Sequence, residues 1–143
     1  MIKLLAIAVL TVSILPGQAL TICSSVTTED ASAILGVAAK RTQDPSGCGW
    51  EDATHKKQLN VAYVKVESMF ERARADSGKK GKVEDEKGLG GPAFSSLPTA
   101  SNGNRAALYC LKGSTVLILD AEAPAAASRI PQMREVMRKL DPK

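Results

Sequence analysis

Few residue types in this chain can do chemistry, and their spacing limits what that chemistry is. There are three cysteines, Cys23, Cys48 and Cys110, and one histidine, His55. Covalent catalysis needs a thiol or hydroxyl beside a base, and proton transfer needs a titrating group held against its substrate. His55 stands among Thr54, Lys56 and Lys57, a polar setting that reads as exposed. Ser24, Ser25, Ser95 and Ser96 lack the G-x-S-x-G turn that presents a hydrolase nucleophile. Glu84, Asp85 and Glu86 are consecutive, and adjacency in a loop does not make an acid–base pair. No residue is therefore assigned a catalytic role. The alternative is a secreted hydrolase-like enzyme, or an enzyme subunit, whose site assembles from distant residues around His55.

The cysteines point to a staple. No C-x-x-C is present, so a thioredoxin-type redox pair is absent, and so is the C-x-x-C-H of covalent haem. His55 follows Cys48 without a recognised zinc spacing, so no metal site and no cofactor is assigned. Three cysteines allow one intrachain bridge and one leftover thiol. Cys23–Cys48 is the preferred pair, because it ties the start of the exported chain to its body. Loop-closure entropy gives such a bridge about 3 to 4 kcal/mol. Cys110, flanked by Tyr109 and Leu111, reads as a buried, inert thiol in a strand. Trp50, two residues after Cys48, is either a core anchor or a ligand-contacting aromatic. Trp50 and His55 are the candidate binding residues. Gly88-Leu89-Gly90-Gly91 lacks both the Gly-Lys-Ser/Thr ending of a phosphate loop and the G-x-G-x-x-G pattern, and reads as a turn.

These residues must be positioned by a small body. The chain has 143 residues, 44% of them apolar, 24% charged and only 3% aromatic. That excludes a multidomain enzyme, a coiled coil and a multi-span membrane protein. Met1 to Ala19 carries one early charge, Lys3, then an apolar run from Leu4 to Leu15, then Gly17 and Ala19 at small-x-small spacing. This is the layout of a secretory signal peptide, and the run is too short to span a bilayer. The reading is a leader over 1–19 and one domain over 20–143, secreted or placed in the periplasm or cell envelope, with no transmembrane span after cleavage. Ile22 occupies the place before Cys23 where an acyl-anchoring signal carries a small residue, which disfavours a lipid anchor. Losing Lys3 lowers the formal charge of +4 by one, too little to favour a polyanion. The run KKGKVEDEK over 79–87 is mixed in sign and reads as a solvated loop or edge strand, so no nucleic acid is expected.

Periodicity supplies the elements. Ala31, Ile34, Leu35 and Ala38 form a helical stripe behind a Thr27/Asp30 capping pair, with Gly36 or Ala39 at its end. Asp44-Pro45-Ser46-Gly47 is a turn, and Cys48-Gly49-Trp50 enters a short strand. Leu59 to Val66 alternates as a strand, and 67–76 shifts to helical spacing with Met69, Phe70 and Ala73 inward. Gly78 and Gly81 end that helix. Ala93 to Leu97 is a short segment, followed by an Asn102-Gly103 turn. Strands over 105–112 and 115–120 flank Gly113-Ser114, and Val116 to Leu119 is apolar throughout, so both faces of that strand are covered. Ser128 is placed to cap a last helix with Ile130, Met133, Val136, Met137 and Leu140 on its apolar side and Arg129, Arg134, Arg138 and Lys139 on its basic side. The order implies an α+β fold, an antiparallel sheet with helices packed on one face. It also reads as two degenerate copies of a helix–hairpin unit.

The stretch TICSSVTTEDASAILG, the C-G-W at Cys48 to Trp50, and the later GLGGPAF, LYCLKG and VLILD segments resemble small exported bacterial envelope proteins of the DUF3558 type. Cys23, Leu35, Gly36, Cys48 and Trp50 carry the resemblance. It implies an exported α+β domain and no particular activity. The expectation is thus an exported, non-catalytic binding or accessory protein of the bacterial cell envelope, with an envelope protein or a small ligand as its partner.

Overall fold

Alternating apolar residues build the sheet from its middle outward. The computed structural model describes residues 22–42 and 47–142; the expected leader and the Asp44–Ser46 turn lie outside them. The elements are α1 (Thr28–Leu35), β1 (Lys40–Thr42), β2 (Gly47–Glu51), β3 (Gln58–Val64), α2 (Ser68–Lys80), β4 (Gly81–Glu86), β5 (Ala93–Pro98), β6 (Arg105–Lys112), β7 (Thr115–Glu122) and α3 (Ile130–Lys139), with short 3-10 turns at 99–101 and 126–129. The described strands form one seven-stranded sheet in the order β1-β2-β3-β7-β6-β5-β4, antiparallel at every pairing. The α+β class and the antiparallel sheet are as expected from the sequence.

Register sorts the side chains. Leu59, Val61, Leu108, Leu117 and Leu119 share one face, where they join buried residues of α1 and α3 in the main core. Phe94, Tyr109 and Val116 share the other, where Phe70 of α2 packs on them. The helices therefore occupy both faces, not one. The cause lies in β7, whose apolar run presents Leu117 and Leu119 to one side and Val116 and Ile118 to the other. Each half of the chain does run from a hairpin into a helix, but α2 and α3 dock on opposite faces.

Local signals set most element ends. Thr27 caps α1: its hydroxyl accepts from the Asp30 N–H at 3.0 Å, and Asp30 accepts from the Thr27 N–H at 3.1 Å. Gly36 closes the helix in the left-handed region, at φ 72°. Helix α2 runs past Gly78 to Lys80, longer than the spacing of its apolar residues implies. Gly78 is exposed with open space around it, so it imposes no stop. The charged run 79–87 is divided between the end of α2 and the edge strand β4. Ser128 does not cap α3. Its hydroxyl donates to the Ala125 carbonyl at 2.7 Å within the 3-10 turn, and Pro131 in the first turn of the helix brings no N–H that needs a cap. The other end of α3 is held from the sheet, where Lys112 Nζ donates to the carbonyls of Met137 (2.8 Å) and Leu140 (2.6 Å).

The basic side of α3 is solvent-facing but tied to other elements by ion pairs. Arg134 makes a two-pronged pair with Glu86 at 2.6 and 3.0 Å, and Lys139 reaches Asp30 at 2.7 Å. The segment before α1 is held by the Cys23–Cys48 disulfide, whose Cα atoms are 5.6 Å apart, with Ile22 and Val26 buried beside it.

Two outcomes follow from these contacts. The bridge spans a sequence separation of 25, so the Cys23→Ser/Cys48→Ser double variant is expected to lose about 3 to 4 kcal/mol in denaturant unfolding. An unchanged unfolding midpoint would show that the staple contributes nothing. Burial raises the Asp30 carboxyl, but Lys139 and the Thr27 N–H outweigh it and hold the group below its ordinary range. A carboxyl lowered by folding stabilises above its unfolded value and loses that contribution as pH falls through the folded one. The melting difference between the native chain and Asp30→Asn, worth at most about 1 kcal/mol near neutrality, should shrink below about pH 4.

Candidate functional site

The residues singled out from the sequence divide into two groups. Cys23, Cys48 and Trp50 come together in the main core. Trp50 is 1% exposed; Arg41 lies 5.9 Å from its ring centroid, and its indole N–H is buried without a hydrogen-bond partner among the described residues. Its ring is core. His55 lies apart, at the tip of the β2–β3 hairpin, with its side chain 72% exposed and its Nδ1 2.6 Å from Glu51 Oε1. Asp52 shapes that tip by accepting from the Thr54 hydroxyl at 2.6 Å and from the Lys56 and Lys57 N–H groups at 3.1 Å. Those bonds hold the Asp52 carboxyl below its usual range.

The remaining candidates have structural partners. Cys110 is buried and donates weakly to the carbonyls of Leu89 (3.6 Å) and Gly91 (3.9 Å). Burial pushes its thiol up, which keeps it protonated and unreactive. Gly91 is packed so closely on the Leu111 carbonyl that a side chain there would collide with it. The glycine-rich stretch is therefore a strand approach, consistent with its reading as a turn. The three consecutive acidic residues are each in an ion pair, Glu84 with Lys82, Asp85 with Arg74 and Glu86 with Arg134. Among the described residues no group of three or more His, Cys, Asp or Glu is placed to hold a metal.

The cavity with the richest chemistry lies elsewhere, between α2 and the sheet, with a volume of about 330 Å³. Its origin is a step between two rows on one sheet face. Register sets Phe94 beside Tyr109 and Tyr109 beside Ile118 in one row, and Ser96 beside Ala107 and Ala107 beside Asp120 in the next. The first row begins with two rings, and the second begins with two small side chains. Helix α2 sits over the rings. Phe70 meets Phe94 at 5.3 Å between centroids, and Phe94 stacks on Tyr109 at 4.6 Å. Arg74, paired with Asp85, lies 5.7 Å from the Phe94 ring. Beside the rings the small Ser96 and Ala107 leave the helix unsupported, and the cleft opens there.

Its floor is Val64, Tyr109, Val116 and Ile118. Its helical wall carries Met69, Ala73 and Ser77 in one row and Arg72, Asp76 and Lys80 in the next, each row at four-residue spacing. One end is closed by Arg105, whose guanidinium grips Asp120 at 3.2 and 2.8 Å. That bond raises the Arg105 pKa further, and the guanidinium is committed to Asp120. Burial, reinforced by Asp120, pushes the Tyr109 phenol up, so it is a neutral hydrogen-bonding group at physiological pH. The lining contains no histidine or cysteine. The arrangement can hold a small molecule by an apolar floor and a charged rim.

Sequence reasoning did not find this site. The sequence marks Met69, Phe70 and Ala73 as the inward side of a helix and Tyr109 as a strand neighbour of Cys110, and neither pattern places them at a cleft. The four-residue spacing of Arg72, Asp76 and Lys80 was a signal, but it does not say which strand lies beneath. A second hollow of about 530 Å³, near Gly90, Ser114 and Arg138, is flanked by Lys112, whose ammonium is already committed to the end of α3.

Fold and cleft together define a two-faced α+β domain with a ligand-sized cleft under one helix. No protein-family model matches the chain, and no curated protein matches it. Among solved structures, the solution structure of cyanobacterial PsbP (CyanoP) from Synechocystis sp. PCC 6803 is similar at a TM-score of 0.35 and 8% identity, over 69% of this chain and 73% of that one.

The placement of Trp50 gives a direct expectation. Trp50→Ala should cost about 3 to 5 kcal/mol in thermal or denaturant unfolding, the range for deleting a buried large aromatic. A variant that melts like the native chain but no longer retains a ligand would assign the ring to contact instead of core.

Proposed function

We propose that this chain is an exported, non-catalytic binding or accessory module of the bacterial cell envelope, and that the cleft beneath α2 is where it binds. The observation that carries the reading is the cleft itself, a ligand-sized opening lined by apolar floor and charged rim, with the one histidine outside its lining on an exposed hairpin tip. The Cys23–Cys48 bridge supports an oxidising compartment. The signal-like residues 1–19 and the resemblance to DUF3558-type envelope proteins support the same location. Among the described residues no helix is long and apolar enough to cross a membrane.

The alternative, an enzyme with its site around His55, requires a nucleophile or a cleft beside the imidazole. The structure places Glu51 there, on an exposed surface.

The test is retention of an envelope component by the purified, disulfide-bonded domain. Ile118→Trp, which fills the cleft, is expected to reduce retention at least tenfold, while His55→Ala leaves it unchanged and shifts stability by less than about 0.5 kcal/mol. Retention that ignores Ile118→Trp and disappears with His55→Ala would overturn the reading. Intact mass of the exported protein checks removal of 1–19 and the bridge in the same preparation.

A further inference from the structure

The cleft carries enough chemistry to name a ligand class, an inference that rests on its being the binding site. Three of its features bear on the choice. The first is the aromatic row. Phe94 stacks on one side of Tyr109, and register puts Ile118 on the other, toward the open cleft. Ile118 and Val116 carry the apolar surface on from Tyr109 as a floor over which a ligand ring can lie.

The second is size. A volume of about 330 Å³ is at the small end of ligand pockets. It suits a compact ligand of two or three rings and not an extended chain.

The third is charge. Five charged side chains line the cleft: Arg72, Asp76 and Lys80 from α2, Arg105 from β6 and Asp120 from β7. Arg105 and Asp120 neutralise each other. Arg72, Asp76 and Lys80 form no ion pair with one another or with any other described residue, although each is four residues from the next. That contrasts with Arg74, Arg134 and Lys139, all of which have carboxylate partners. The unpaired rim therefore has two cations against one anion, a net single positive charge above an apolar floor.

We propose that the cleft between α2 and the β6–β7 face binds a small planar aromatic monoanion, its ring beside Tyr109 over Val116 and Ile118 and its carboxylate or sulfonate at Arg72. Arg72 is preferred to Lys80 because a guanidinium meets a carboxylate or sulfonate with two parallel N–H donors. The face opposite α2 cannot supply this site, since α1 and α3 fill it with the main core.

Three probes test the proposal on the folded, disulfide-bonded protein: anilinonaphthalene sulfonate, its uncharged parent phenylnaphthylamine, and the cationic aromatic dye thioflavin T. The sulfonate should bind saturably at one site and more tightly than the other two. Arg72→Gln should weaken the sulfonate about three- to tenfold and leave phenylnaphthylamine unchanged. Ile118→Trp should abolish binding of both; if that variant does not fold, Val64→Trp at the half-exposed mouth blocks the same cleft. Equal affinity for the charged and uncharged probes, insensitive to Arg72→Gln, would overturn the anion assignment, and tighter binding of thioflavin T would reverse its sign. Sulfonate binding that survives both filling variants would remove it from the cleft. If envelope retention is lost in Ile118→Trp while no aromatic anion binds the native chain, the ligand class is wrong and the cleft remains the binding site.

Discussion

The structure depends on one strand being apolar on both sides. β7 stands at the centre of the seven described strands, between β3 and β6, and alternates Val116 and Ile118 with Leu117 and Leu119. A central strand of this kind cannot leave either face to water. Each buried aliphatic side chain is worth roughly 1.5 to 3 kcal/mol. The chain meets the requirement with its helices. The apolar stripe of α3 and the short α1 cover the leucine side, and α2, entering directly from β3, covers part of the valine–isoleucine side.

The two covers are unequal, and the difference produces the site. On the leucine face, α1, α3 and the segment from Ile22 to Val26 form a continuous core, and Trp50 fills its flank. The Cys23–Cys48 bridge holds that segment down. On the other face the three residues Phe70, Phe94 and Val116 are the fully buried cluster, with Met69, Ala73, Tyr109 and Ile118 only partly covered. One helix cannot span the whole sheet. It settles over the aromatic residues, where contact area is greatest, and leaves a cleft over the smaller Ser96 and Ala107 beside them.

Electrostatics reinforce this division. Ion pairs tie α3 to β4 through Arg134 and Glu86, α3 to α1 through Lys139 and Asp30, and α2 to β4 through Arg74 and Asp85. The first two join elements distant in sequence and engage Arg134 and Lys139, two of the three basic residues of α3. Arg72, Asp76 and Lys80 stay outside these pairs while lining the cleft. Surface pairs add little stability individually, and these three side chains are left to face a ligand.

Much of the architecture is written in local sequence. The Thr27–Asp30 capping box, Gly36, the Gly113-Ser114 turn, the alternation of 105–112 and the apolar stripe of α3 all act within a few residues, and each is found as expected. The Cys23–Cys48 pairing also follows, from the count and placement of three cysteines. Other features were outside the reach of local pattern. The length of α2 was decided by Gly81 joining β4, the start of α3 by Pro131 and the preceding 3-10 turn in place of Ser128. The face on which α2 docks was decided by register. Trp50 and His55 were equal candidates by residue type, and only packing separated a buried ring from an exposed imidazole. The cleft was invisible for the same reason. Ser96, Tyr109 and Ile118 come from three strands, and their common floor exists only once hydrogen bonding has aligned them. Sequence determines which residues want burial and where the chain turns; tertiary structure decides which of them meet, because contacts between distant strands are set by global register and by competition for a limited sheet surface.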